Sequence, residues 1–310
     1  MKSRCDNTET PQNHGLLSQL VVLLIAWLTL QTCASAQPAA VAQTVKSLRV
    51  IKADAFDNPL PAAVRPLLTQ LKQQLRELIS DTLNVPQARR LTPSQVRANV
   101  LTQLVSAGVR VPPPEPAGGD NNSFDTSYVY GNIHQITVQR PAGHPDFIAV
   151  TTTIGVCCGQ DTSLYLFKKL GAHWRLVLAQ ETNNYKEVSG AQGRFEYALS
   201  APDERGDFFV VTANVNPWCT SNWQSLRYCV MHIGRIADQP RTLLKRDAII
   251  YLGIDPPVYR LKVAGPRFSL KFYGEADRKA IENGATTRRM VLRYAVDGDR
   301  VKRVFRVRKK

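Results

Sequence analysis

Three stretches of this chain repeat one order of residues, and that repeat limits the fold more than any other feature. "YGNIHQITVQRPAGHPDFIAVTTTIG", "YKEVSGAQGRFEYALSAPDERGDFFVVTANV" and "YLGIDPPVYRLKVAGPRFSLKFYG" each open on a tyrosine: Tyr130, Tyr185 and Tyr251. An aliphatic residue follows three positions on (Ile133, Val188, Ile254). Then come a first run, a proline-containing turn (Pro141, Pro202, Pro266) and a second run that opens near Phe147, Phe208 or Phe268. The runs are rich in β-branched and aromatic residues and are bounded by turn residues, which marks them as strands. Each unit continues through a longer loop to a third run ("SLYLFKK", "SLRYCVMHI", "RRMVLRYAV") and a short fourth one ("HWRLVLA", "RTLLKRD", "RVKRVFRV").

The fold class that follows is mainly β. The all-β repeat domain spans residues 128–310, as three antiparallel four-stranded units at about 128–181, 182–246 and 247–310. Such units resemble the blades of a β-propeller, in which each sheet buries its faces against its neighbours. Three units are fewer than the roughly four to eight that close a ring. A sandwich or barrel is therefore the alternative packing.

A helical hairpin precedes the repeats, over residues 59–110. "RPLLTQLKQQLRELISDTL" places Leu67, Leu68, Leu71, Leu75, Leu78, Ile79 and Leu83 at helical spacing, with Lys, Arg and Gln between them. Pro66 suits its first turn and Pro86 bars its extension. "TPSQVRANVLTQLVSAG" opens with Thr92, Pro93 and Gln95 in a capping-box pattern, and Gly108 stands where a C-terminal cap belongs. Residues 37–58 read as a flexible segment with a short strand at Ser47–Ala53, and 111–127 as a Pro/Gly-rich linker. Asp120, Asn122 and Asp125 in that linker lack the glycine and distal glutamate of a calcium loop.

The first 36 residues read as a secretory signal peptide. Lys2 and Arg4 form a basic start, Leu16 to Leu30 an apolar run, and Ala34 and Ala36 an A-x-A cleavage site. The apolar run is shorter than the ~20 residues of a membrane-spanning helix. The expectation is an exported protein, periplasmic or extracellular, whose mature chain begins near Gln37 and carries no transmembrane segment.

Export changes the reading of the cysteines. Cys157, Cys158, Cys219 and Cys229 remain after processing, and an even number in an exported chain argues for disulfides. No C-x-x-C pair or H-x₃₋₅-H spacing points to a metal. A bond between adjacent Cys157 and Cys158 would strain the small ring it closes. The favoured pairing is Cys158–Cys219 with Cys157–Cys229.

The formal charge is +15, and it is uneven: residues 288–310 hold ten Lys or Arg against two Asp. Such a surplus draws anionic surfaces, glycans or polymers. Nucleophile elbows, zincin helices and phosphate-cradling glycine loops are absent from the sequence, and no cofactor or metal is implied. His134, His144, His173 and His232 sit in or beside strands and turns, where packing roles dominate. Asp161 could act as a general base, although a turn-forming aspartate is the better reading of "CCGQD". The richest candidate is the Trp-bearing segment from Asn216 to Cys229. There Trp218, Asn222, Trp223, Gln224, Arg227 and Tyr228 combine aromatic faces, amides and a cation able to hold sugar rings; the opposing reading wedges both Trp into the core. The function expected is a non-enzymatic binding or scaffold protein of the cell envelope, taking a glycan or an anionic polymer. A secreted hydrolase of an envelope polymer is the alternative.

Overall fold

The computed structural model describes residues 37–52, 60–86, 91–112, 129–156, 159–182, 185, 195–216, 222–234, 239–252, 259–285 and 289–305. The first sheet contains β1 (Ile133–Gln139), β2 (Phe147–Val156), β3 (Gly159–Leu170) and β4 (His173–Gln180). The second contains β5 (Phe195–Leu199), β6 (Phe208–Asn216), β7 (Trp223–Ile233) and β8 (Arg241–Tyr251). The third contains β9 (Tyr259–Ala264), β10 (Arg267–Phe272), β11 (Met290–Asp297) and β12 (Arg300–Arg303). In every sheet the strands lie in sequence order and pair antiparallel. The fold is mainly β, with three four-stranded antiparallel repeats.

Side-chain alternation explains how the sheets stack. Successive residues of a strand point to opposite faces. On β2, Ile148, Val150, Ile154 and Val156 enter one core, while Phe147 and Ala149 enter another. On β6, Phe208 and Val210 face the first sheet, while Phe209, Val211, Ala213 and Val215 face the third. These strands are apolar on both sides because both sides are covered. The third sheet is apolar on one face only: Phe268, Leu270, Phe272, Leu292, Tyr294 and Val296 meet the second sheet. Among the described residues no core joins the third sheet to the first. The sheets therefore form an open row.

The proline-containing turns fall between the first and second strand of each unit, as the repeat requires. In the first of them His144 is buried, with its Nε2 2.7 Å from the Ser200 carbonyl oxygen of the matching turn in the second unit. Its ring lies 4.4 Å from that of Phe208 and 5.7 Å from that of Phe147. One histidine thus fastens two turns together, and burial lowers its pKa.

Helices cover the free face of the first sheet. Helix α1 (37–49) replaces the flexible segment and the short strand expected there. Val41, Thr44, Val45 and Leu48 are buried at i, i+3, i+4 and i+7, a helical stripe that was masked by the alanine-rich composition. Its Leu48 presses on Gly131, where a Cβ would come within 2.5 Å of the leucine Cδ1. Gly131 also has φ +79°, so glycine serves that turn twice over. Helix α2 (Val64–Asn84) packs on β4, and α3 (Pro93–Ser106) packs on β1 and against α2. The capping box forms as expected: Thr92 Oγ1 accepts from the Gln95 N–H, and the Gln95 side chain accepts from the Thr92 N–H at 2.8 Å. Asn84 ends α2 by donating to the Trp174 carbonyl (2.9 Å) and accepting from the Trp174 N–H (2.8 Å), which satisfies backbone groups of the edge strand β4.

Candidate functional site

The structure separates the Trp-bearing segment. Trp218 lies outside the described residues. Asn222 is exposed, and its carbonyl accepts from the Leu252 N–H at 2.7 Å. Trp223 opens β7 and is half-buried beside Tyr251, its strand partner, with ring centroids 4.9 Å apart. Gln224 is buried. Arg227 is taken up by Asp247 at 3.0 Å. Tyr228 is buried against the third sheet, with its hydroxyl 2.7 Å from that of Tyr294, and burial raises its pKa. A strand, not a loop, runs through Trp223 to Cys229, so alternation sends these side chains to different faces. Among the described residues of this segment, Asn222 and Trp223 remain together at the rim.

Asp161 is neither a turn residue nor an accessible base. β2 ends at Val156 and β3 begins at Gly159, and Asp161 stands inside β3 opposite Ile154. β2 and β3 stay paired as far as Val156 and Gly159, so the long loop expected in the first unit does not separate them. The Asp161 carboxylate is buried and accepts from Lys72 Nζ (3.2 Å), Thr182 Oγ1 (2.9 Å) and the Tyr185 hydroxyl. Lys72 is 1 % exposed, donates also to the Thr182 carbonyl, and sits 4.7 Å from the centre of the Tyr185 ring. Burial and the adjacent carboxylate push the Tyr185 phenol well above its ordinary pKa. Every partner in this cluster is protein, and it ties α2 to the first sheet. The sequence shows Lys72 only as one of the Lys, Arg and Gln residues between the leucines of α2. Its spacing from Leu68 (i+4) and Leu75 (i−3) puts it on the apolar stripe, and that was the signal available.

Cys229 is a buried free thiol in the layer between the first and second sheets, and burial raises its pKa. In the favoured pairing Cys229 would join Cys157. Cys229 pairs with Thr212 in the body of β7. Cys157, Cys158 and Cys219 lie outside the described residues.

The basic surplus seen in the sequence over residues 288–310 is part of a wider cationic surface on the outer face of the third sheet. Register puts Arg260 opposite Lys271, Lys262 opposite Ser269, which in turn stands opposite Arg293, and Arg267 level with Ala264, Ala295 and Lys302. Arg300 follows at the end of the sheet, opposite Asp297, the one acid on this face among the described residues. Arg260, Lys262, Arg267, Lys271, Arg300 and Lys302 are exposed and Arg293 is half-buried. None of them forms an ion pair among the described residues.

At one end of this face lies an aromatic rim. Tyr273 and Arg289 continue β10 and β11 one step beyond the Phe272–Met290 pair, and the Arg289 guanidinium lies 5.1 Å from the Tyr273 ring centre. The Tyr251 N–H donates to the Tyr273 carbonyl at 3.0 Å, which brings the Trp223–Tyr251 pair alongside. Arg278, on the short helix α4 (Arg278–Glu282), lies 5.5 Å from the Trp223 ring centre and pairs with Glu282 at 2.8 Å. Compared with known proteins, the chain matches no protein-family model, no curated protein and no solved structure.

Proposed function

We propose that this chain is an exported, non-enzymatic binding protein of the cell envelope whose third sheet holds an anionic polymer. Export rests on the signal-like first 36 residues. The observation that carries the binding role is the row of unpaired cations on one sheet face.

Several physical facts argue that this face is more than a solvated surface. Like charges directly across two strands destabilise a sheet, and Arg260 stands opposite Lys271. Neighbouring strands lie ~4.8 Å apart and same-face residues ~7 Å apart along a strand. Most of these cations therefore lie within a Debye length of ~8 Å of another at physiological salt, and repel. The arrangement costs stability and covers no core. A polyanion would reverse the sign of that interaction and release its counterions on binding.

The test is binding of sodium polyphosphate by the mature chain over a salt series. Replacing Arg260, Lys262, Arg267 and Lys271 together with Ser lowers affinity by ~100-fold at low salt and flattens the salt dependence. Deleting Arg306 to Lys310 lowers affinity by less, because the cations of the sheet face remain. Affinity that is independent of salt, or equal in the Ser variant, refutes the reading.

A further inference from the structure

We infer that the rim joining the second and third sheets is a stacking subsite for an acidic polysaccharide, with Trp223, Tyr251 and Tyr273 meeting its sugar rings and Arg278 and Arg289 its carboxylates. This inference rests on the polyanion reading and names the class of polymer.

The first ground is where the rings are not. Trp223, Tyr251 and Tyr273 are half-buried and belong to no hydrophobic core, nor to the residues packed against one. Among the described residues these three large aromatic side chains gather at a rim and join none of the cores. The second ground is the company they keep. Arg278 lies over Trp223 and Arg289 over Tyr273, so two of the three rings carry a guanidinium. An arginine laid on a ring has its planar fork held in advance, and that fork matches a carboxylate in a way a lysine cannot. Arg289 has no ion-pair partner among the described residues, whereas Arg278 pairs with Glu282 and would exchange it for the ligand's carboxylate. The third ground is continuity: Tyr273 and Arg289 extend the register of the strands that carry Lys271 and Arg293, so the cationic face runs directly into the rim.

A uronic-acid polymer supplies both halves of what this rim offers, an apolar ring face and a planar carboxylate on every unit. Inorganic polyphosphate supplies charge alone. Single-stranded nucleic acid also stacks, but it uses separate aromatic platforms for successive bases. Here Trp223, Tyr251 and Tyr273 gather at one rim, with a guanidinium beside two of them to pair a carboxylate.

The experiment compares oligogalacturonate, polyphosphate and a single-stranded oligodeoxynucleotide of similar charge, each titrated into the mature chain. Arg278→Gln and Tyr273→Leu each lower oligogalacturonate affinity by about tenfold and leave polyphosphate affinity within about twofold. Arg278 is exposed, so its variant stays folded and decides the matter alone if Tyr273→Leu loses stability. Equal losses for all three ligands, a loss confined to the oligonucleotide, or no loss at all overturns the subsite. Those results leave the polyanion reading standing. A wild-type chain that binds none of the three ligands removes both.

Discussion

The two ends of the stack of sheets face the same problem and solve it differently. The first sheet carries an apolar outer face, and α1, α2 and α3 bury it. The third sheet carries Arg and Lys on its outer face, and nothing among the described residues covers it. Both ends hold lysines, yet Lys72 is buried and paired with Asp161 whereas Lys262 and Lys271 are exposed and unpaired. A charge at the capped end is a structural element. A charge at the open end is available to a partner.

The sharpest way to break this comparison is to remove one lysine from each end. Lys72→Ala leaves the Asp161 carboxylate buried without its cation and should cost about 3–5 kcal/mol of unfolding free energy. Lys271→Ala should change stability by less than about 0.5 kcal/mol. Denaturant unfolding measures both, and similar values would erase the distinction between the ends. Next in size is Asn84→Ala, which strips two backbone hydrogen bonds from β4 at the capped end. Its expected cost is about 1–3 kcal/mol by the same measurement.

A pH effect separates the interior seam from both ends. His144 has a folded pKa below its unfolded value, because burial between Phe147 and Phe208 favours the neutral ring. The stability that this shift confers is complete above about pH 6.5. It declines as pH falls past that value and levels off below the lowered folded pKa. Melting temperature measured from pH 7.5 to 5 should show this fall, and His144→Gln should flatten it. The smallest effect belongs to the open end: Lys262→Ser should leave the melting temperature within about 2 °C of wild type.

The repeat was legible because strand alternation and proline turns are local signals. Phe147, Phe208 and Phe268 stand where the repeat placed them, at the start of the second strand of each unit. The layer order was also written in the strands: "FFVVTANV" is apolar on both faces and "RFSLKF" on one. What the sequence hid is whatever depends on register between strands. Arg260, Lys262, Arg267 and Lys271 are scattered through a stretch of ordinary charge density, and only antiparallel pairing with β11 and β12 gathers them with Arg293 and Lys302. The Trp-bearing segment failed for the reverse reason. Its residues are neighbours in sequence, but the extended β7 disperses them. Asp161 was misread because the turn signal of "CCGQD" ends two residues before it.

The most direct test of the open face is lysine acetylation footprinting of the protein with and without polyphosphate, read by mass spectrometry. The account predicts that polyphosphate protects Lys262, Lys271 and Lys302, while Lys46 on α1 and Lys169 at the end of β3 react as before. Protection spread evenly over all five lysines, or its absence from the third sheet, would contradict it.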